Sequence, residues 1–362
     1  MTVLCIAGDP GGARALSPVV SELIQRGAVV QLFGYRQGAL VLREHGLPVK
    51  MCDSTVAQLA GEHLLAAQTD VLLTATSMNG EDFEKNFIRA ARECHIASLS
   101  ILDFWSNYLG RFSSIGTQGP LDSLPDLIAV MDPYARAEMI SLGFPDERLV
   151  ITGQPAYDEL LRSNCPSNSR TQIRSFFGVG AEDRLLIYAS QPFTEIAADS
   201  GIPAVPYDEI ECLTFLLSAL QGKKDFKIWV RPHPRETALK FQAFQSLQVF
   251  ISPDYDRVSA IQAADGVIGM TSNFLLEAAL LGKPTLSLQP RERLPSPLPL
   301  TRLGLGEIIT DTAAISDSVE RWLARCHNPS ARESPSIESP FSPNAASRVA
   351  DVLMHRARYI KC

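Results

Sequence analysis

The chain has 362 residues, 46% of them hydrophobic, enough for about two domains of roughly 150 residues with cores of their own. A net charge of −7 argues against a general nucleic-acid binder, and no uncharged apolar run reaches the roughly 18 residues of a membrane-spanning helix. Residues 1–12 lack a basic leader and read as a first strand. The seven scattered cysteines form no Cys-x-x-Cys pair and read as reduced, mostly buried thiols of a cytoplasmic protein, with no zinc site.

In chain order, an apolar strand at 3–7 runs into a glycine-rich loop at 8–14, and helical spacing follows at 15–26. Strands at 29–33, 49–51, 70–75, 97–102, 127–131 and 149–152 then alternate with helices at 38–45, 56–67, 83–94 and 134–142. Residues 162–180 break the alternation, and the polar stretch 164–169 predicts a linker or loop. Strands return at 185–189, 227–230, 249–252, 266–269 and 285–288, with helices at 209–220, at 258–264 and after 271–273. A Ser/Pro-rich loop at 332–343 precedes a closing helix at 345–358. Strand–helix alternation of this kind predicts parallel βαβ units. The expected architecture is α/β, with two Rossmann-like domains facing across a cleft. They comprise residues 1–160 and 161–343, while 344–362 form a helix packing back on the first domain.

In open parallel sheets a ligand lies beyond the carboxyl ends of the strands, where the candidate residues fall. Thr271, Ser272 and Asn273 open an apolar helix whose first amides and dipole suit a phosphate. Glu277, about one turn further, is then within reach of ribose hydroxyls. The same residues also read as a plain cap and a solvated face. At 231–235, His233 is locked between two prolines and flanked by Arg231 and Arg235. This stiff cationic loop suits a pyrophosphate, or is a surface loop with its arginines paired to acids. Ser190 and Gln191 follow a strand and could reach the same ligand. In the first domain, Gly11 and Gly12 permit close approach to the backbone, and Asp9 is either a base or a turn residue. Asp103 ends another strand as a second candidate base. Phe104, Trp105 and Tyr108 beside it would stack on a sugar, or simply pack. Histidines 45, 63, 95, 327 and 355 have no motif around them.

Residues 269–288, GMTSNFLLEAALLGKPTLSL, resemble the donor-site signature of GT-B glycosyltransferases. They are similar to the matching segments of lipid-A-disaccharide synthase and of the non-hydrolysing UDP-N-acetylglucosamine 2-epimerases. The resemblance implies that Ser272 meets the nucleotide phosphates and Glu277 the ribose. RPHPRE, at 231–236, resembles the His-Pro motif of bacterial sialyltransferases, capsule Kdo transferases and teichoic-acid glycerophosphotransferases, which use CMP- or CDP-linked donors. It implies that His233 meets the donor phosphate. AGDPGGARALSPVVSELIQRG, at 7–27, resembles the glycine loop and first helix of the same superfamily, and LVITGQPAYDEL, at 149–160, its hinge string. The acidic Asp/Glu-Asp/Glu-Gly string of the sialyltransferases is absent, as is the N-terminal loop of the epimerases.

The resemblance implies a glycosyltransferase moving a sugar from a UDP-, CMP- or CDP-linked donor to the hydroxyl of a carbohydrate, lipid-linked or small-molecule acceptor, in bacterial surface polysaccharide or glycoconjugate synthesis. Arg231, His233 and the amides near Ser272 would stabilise the leaving phosphate, and Asp103 or Asp9 would activate the acceptor. The nucleotide sugar is the co-substrate, with no other cofactor and no essential metal. The expected location is the cytoplasm, with peripheral contact at the inner membrane face as a further expectation. An epimerase or hydrolase of the same fold, or a non-catalytic nucleotide-sugar binder, is the alternative.

Overall fold

The structure, a computed structural model, describes residues 1–77, 82–114, 120–162, 167–180, 182–195, 205–233, 235–252, 255–327 and 343–359. The chain divides into two compact units, Met1–Arg162 with Pro340–Cys362, and Ser163–Ser339.

The first unit holds seven strands: β1 (Thr2–Ala7), β2 (Val29–Tyr35), β3 (Val49–Cys52), β4 (Val71–Thr74), β5 (Ala97–Ile101), β6 (Leu127–Val130) and β7 (Leu149–Ile151). They form one sheet in the order β3-β2-β1-β4-β5-β6-β7, with every neighbouring pair parallel. A parallel sheet is covered on both faces, so its strands are apolar throughout rather than alternating. β1 illustrates this. Val3, Cys5 and Ala7 enter one core with Leu16, Val20 and Leu23 of α1 (Pro10–Gln25), while Leu4 and Ile6 enter the opposite core with Phe83 and Phe87. The connecting helices are α2 (Arg36–Glu44), α3 (Ser54–Gln58), α4 (Ala60–Ala66), α5 (Phe83–Glu93), α6 (Tyr108–Phe112), α7 (Pro133–Ser141) and α8 (Pro155–Arg162).

The second unit opens with α9 (Ser167–Phe176) and continues through β8 (Arg184–Ala189), α10 (Glu209–Ala219), β9 (Phe226–Arg231) and β10 (Val249–Ile251). α11 (Arg257–Ala263), β11 (Gly266–Gly269), α12 (Asn273–Leu280), β12 (Thr285–Leu288), β13 (Glu307–Ile309) and α13 (Ile315–His327) complete it. Its sheet, in the order β10-β9-β8-β11-β12-β13, is again wholly parallel. Leu186, Tyr188, Ile228, Val230, Ile268 and Leu286 pack on one face beneath Leu213, Leu216 and Trp322. The last helix, α14 (Ala345–Tyr359), belongs to the first unit, where Val349, Ala350 and Leu353 join the core of α1.

Strand order reverses direction between β1 and β4 in the first sheet and between β8 and β11 in the second. In open parallel sheets such switch points splay the flanking loops, and ligands bind beyond the strand ends there.

Several expectations are corrected. The supposed glycine loop is largely helix, because Pro10 takes the first helical position, where its missing N–H costs nothing. The supposed linker contains α9, tied by Arg170 and Arg174 to Asp265. The single helix at 56–67 is two, broken at Leu59. Residues 332–342 of the expected Ser/Pro loop, and residues 164–166 of the linker, lie outside the described residues. No described helix is long and apolar enough to cross a membrane. Of the five cysteines the structure describes, Cys5 and Cys212 are buried and Cys52, Cys94 and Cys326 are half-buried.

Candidate functional site

The second unit gathers most of the candidate residues at its switch point. Ser190 and Gln191 leave β8, Arg231 and His233 leave β9, and Thr271 and Ser272 leave β11. The neighbouring loops are laced together. The Gln191 carboxamide oxygen accepts the Thr271 N–H at 2.6 Å, and the Ser190 N–H donates to the Arg231 carbonyl at 3.1 Å. Gly269 must lack a side chain, since a Cβ there would stand 2.5 Å from the Ala189 carbonyl oxygen.

Ser272 is the cap of α12, its hydroxyl accepting the Phe274 N–H at 3.2 Å. The Thr271 and Phe274 amides are therefore already in use. Arg231 lies against this same helix start, with its guanidinium 4.9 Å from the centre of the Phe274 ring and one amine 3.3 Å from the Tyr255 carbonyl. Its Nε is buried with no hydrogen-bond partner among the described residues. Burial lowers the affinity of this guanidinium for its proton, while Glu277 and Asp256 pull the other way. A half-buried cation with an unused donor at a strand end is suited to an anionic ligand.

His233 follows. Its Nδ1 accepts the Arg235 N–H at 3.2 Å, which puts the proton of the neutral ring on Nε2. Its own N–H donates to the Glu236 carboxylate at 2.7 Å, and Ser190 donates to the other Glu236 oxygen at 3.0 Å. Burial raises the Glu236 carboxyl above its ordinary range. Pro234 lies outside the described residues, and Arg235 is exposed.

Glu277 is no solvated face. It is 6% exposed, accepts Arg257 at 2.9 Å, and receives the Asn273 amide at 3.3 Å. Arg257, twenty residues upstream in sequence, gave no sign of this pairing. Metal chemistry has one candidate cluster among the described residues, Glu195, Glu209 and Glu236, and the Lys240 ammonium pairs with all three. The chain also carries one Asp-x-Asp string, Asp254-Tyr255-Asp256. Asp256 is spent capping α11 through the Ser259 N–H, and Asp254 lies outside the described residues.

The first unit assembles a second set of groups at the ends of β1, β4 and β5. Asp103 holds its Oδ1 on the Thr76 hydroxyl at 3.1 Å and on the buried Arg111 guanidinium. Its Oδ2 lies against Gly11, where a Cβ would come within 2.3 Å. A Cβ on Gly12 would stand 2.7 Å from the Ala75 methyl and 2.9 Å from the Thr76 carbonyl oxygen. Asp9 precedes α1 without capping it through its side chain. Glu84, which the sequence did not single out, turns inward from the first turn of α5. It is 2% exposed, with one oxygen on the Gly8 N–H at 2.7 Å and the other on the Ser77 hydroxyl at 2.6 Å. Burial pushes its carboxyl up to about 7, the Ser77 hydrogen bond opposes this, and the nearby Asp9 adds to it.

Two expected acceptor residues are corrected. Trp105 and Tyr108 are buried rather than offered to a sugar, because their polar tips are held from within. The indole N–H donates to Asp132 at 2.7 Å and the phenol to Glu138 at 2.6 Å. His45 and His63 serve local packing, on the Val41 carbonyl and against Phe33.

A family described as "Protein of unknown function (DUF354)" matches residues 202–311. No curated protein matches the chain. Among solved structures, the chain is similar to the UDP-GlcNAc 2-epimerase from Neisseria meningitidis bound to UDP-GlcNAc. Identity is 15%, the TM-score is 0.71, and 98% of this chain and 100% of that one are covered. HepE from Anabaena, in complex with UDP and glucose, gives 15% identity and a TM-score of 0.64 over 98% and 100% of the chains. The glycotransferase of kitacinnamycin gives 13% and 0.62 over 98% of each. The two parallel α/β units therefore have the GT-B fold of these enzymes.

Proposed function

We propose that the protein is a nucleotide-sugar-dependent glycosyltransferase whose second unit holds the donor. The observation that carries the reading is the convergence of Arg231, His233, Gln191 and the capped start of α12 on one switch point, with an Arg231 Nε that has no hydrogen-bond partner among the described residues. The donor is a UDP-, CMP- or CDP-linked sugar. In transfer, the acceptor hydroxyl gives its proton to a carboxylate as its oxygen attacks the anomeric carbon, and the carbon–phosphate oxygen bond breaks. Negative charge then grows on the departing nucleotide, where Arg231 and the Nε2–H of His233 oppose it. The first unit offers the carboxylate: Asp103 has one oxygen anchored by Arg111 and Thr76 and the other beside Gly11, and Asp9 is the alternative. The acceptor is a carbohydrate, lipid-linked or small-molecule hydroxyl, in bacterial surface polysaccharide or glycoconjugate synthesis. The location is cytoplasmic, with contact at the inner membrane face.

Similarity to UDP-GlcNAc 2-epimerases favours a second reading, inversion of a nucleotide sugar at carbon 2. One experiment separates the two. The protein is screened for thermal stabilisation by UDP, CMP, CDP and GDP, then incubated with matching nucleotide sugars. Nucleotide release that depends on an added acceptor supports transfer, whereas an epimeric sugar formed without acceptor supports the second reading. His233→Ala is expected to lower nucleotide affinity at least tenfold, about 1.4 kcal/mol. Unchanged affinity in a folded variant removes His233 from the site.

A further inference from the structure

We propose that Lys240 is a positioning residue, whose ammonium gathers carboxylates from three segments of the second unit and so fixes His233 for the nucleotide phosphates. The proposal rests on the donor-site reading above.

Lys240 lies in the 3-10 segment Ala238–Phe244, which the fully buried Phe241 anchors. Its Nζ stands 2.9 and 2.8 Å from the two oxygens of Glu195, in the loop after β8, and 3.2 Å from Glu236, in the loop after β9. It also pairs with Glu209, the first residue of α10. Ligand oxygens of the three carboxylates lie within 4.8 Å of one another, and the side chains of Glu209 and Glu236 are fully buried. Three carboxylates this close repel, and a buried one without a partner is strongly unfavourable. An ammonium has three donors, one for each. Burial works to lower the Lys240 proton affinity, yet the hydrogen bonds to Glu195 and Glu209 hold it above its ordinary value, so it stays charged.

Glu236 carries this constraint to the site. The oxygen that meets Lys240 also accepts the Ser190 hydroxyl at 3.0 Å, and the other accepts the His233 N–H at 2.7 Å. The His233 carbonyl in turn accepts the Glu236 N–H at 2.8 Å. The His233 backbone is thereby held at both its N–H and its carbonyl, and the Arg235 amide holds the ring at 3.2 Å. Loss of the ammonium leaves three unneutralised carboxylates. Glu236 must then move or take up a proton, and either change alters the acceptors that orient His233 and Ser190.

The test is calorimetric titration of the full chain with UDP, with CMP and with CDP. Parent protein that binds none of the three overturns the donor-site reading, and this proposal with it. Where the parent binds, Lys240→Met is expected to weaken affinity at least tenfold. In a His233→Ala background the same substitution should cost less than twofold, because the ring it positions is gone. Unchanged affinity in folded Lys240→Met, or an undiminished loss in the His233→Ala background, overturns the proposal and leaves the donor site standing. Should Lys240→Met fail to fold, Glu195→Gln takes its place. It removes one partner of the ammonium from the more exposed side, and a loss of about threefold that vanishes in the His233→Ala background is expected. No loss, or one that persists, overturns the proposal.

Discussion

Replacing Glu84 by Gln tests whether a proton is stored at the end of β1. Burial pushes the carboxyl up to about 7 in the folded protein, against an ordinary value of 4.5. The folded state therefore holds this proton to higher pH than the unfolded chain does. Its stabilising contribution is fully present below the unfolded value and is lost as pH rises through the folded one. At about 1.4 kcal/mol per unit, the loss between pH 5 and pH 8 amounts to about 3 kcal/mol. Glutamine keeps an acceptor for the Gly8 N–H, and its amide can donate to the Ser77 hydroxyl, so the fold is preserved without a titrating group. Urea unfolding of parent and Glu84→Gln at several values between pH 5 and pH 8, read on the transition of the first unit, gives the comparison. The variant should gain on the parent by about 3 kcal/mol toward the alkaline end. Parallel pH profiles for the two proteins would refute the assignment, since background titrations cancel in the difference.

Asp103→Asn and Asp9→Asn separate the two candidate bases: the true one should cost about a hundredfold or more in turnover with nucleotide affinity retained. Two variants at parental rate would remove both. Glu277→Gln strips the charge from a buried carboxylate paired with the half-buried Arg257 and should lower stability by about 1–3 kcal/mol in thermal unfolding. A ribose contact would additionally weaken discrimination between ribo- and deoxyribonucleotide, and an intact preference confines Glu277 to a structural role. Asp158→Ala removes the acceptor of the Ala345 and Ala346 N–H groups at the start of α14 and should cost about 1–2 kcal/mol. Unaltered stability would show that this cap is dispensable.

The periodicity of apolar residues made most strands readable, because a covered parallel strand leaves a short unbroken run such as 3–7 or 266–269. Helices with few apolar residues were hidden. α9 buries Ile173 but is held mainly by arginines reaching Asp265, and such long-range pairing leaves no local pattern. β13 has only three residues, all half-buried. At the candidate site, the strand-end position of His233 and the capping role of Ser272 could be read from neighbouring residues. The partners could not. Arg257 for Glu277, Arg111 for Asp103 and the Gly8 amide for Glu84 all arrive by tertiary folding. Glu84 was the hardest to foresee, since it stands among charged residues at 81–85 that look like an exposed helix start. Trp105 and Tyr108 misled for the opposite reason: an aromatic cluster beside a strand end reads alike whether it faces solvent or core.

The return of α14 to the first unit sets an order of assembly. Every strand of the first sheet is translated before residue 152, yet one face of that sheet is closed by Val349, Ala350 and Leu353, which are made only after the whole of the second unit. Arg26 waits for Asp351 and Ser347, and Asp158 for the amides of Ala345 and Ala346. On the ribosome the later-encoded unit thus has its full sequence while the earlier one still exposes the apolar groove of α1. The usual N-to-C sequence of domain completion is inverted. A nascent chain stalled between the two units would carry an unfinished first unit, with the apolar side of α1 still uncovered.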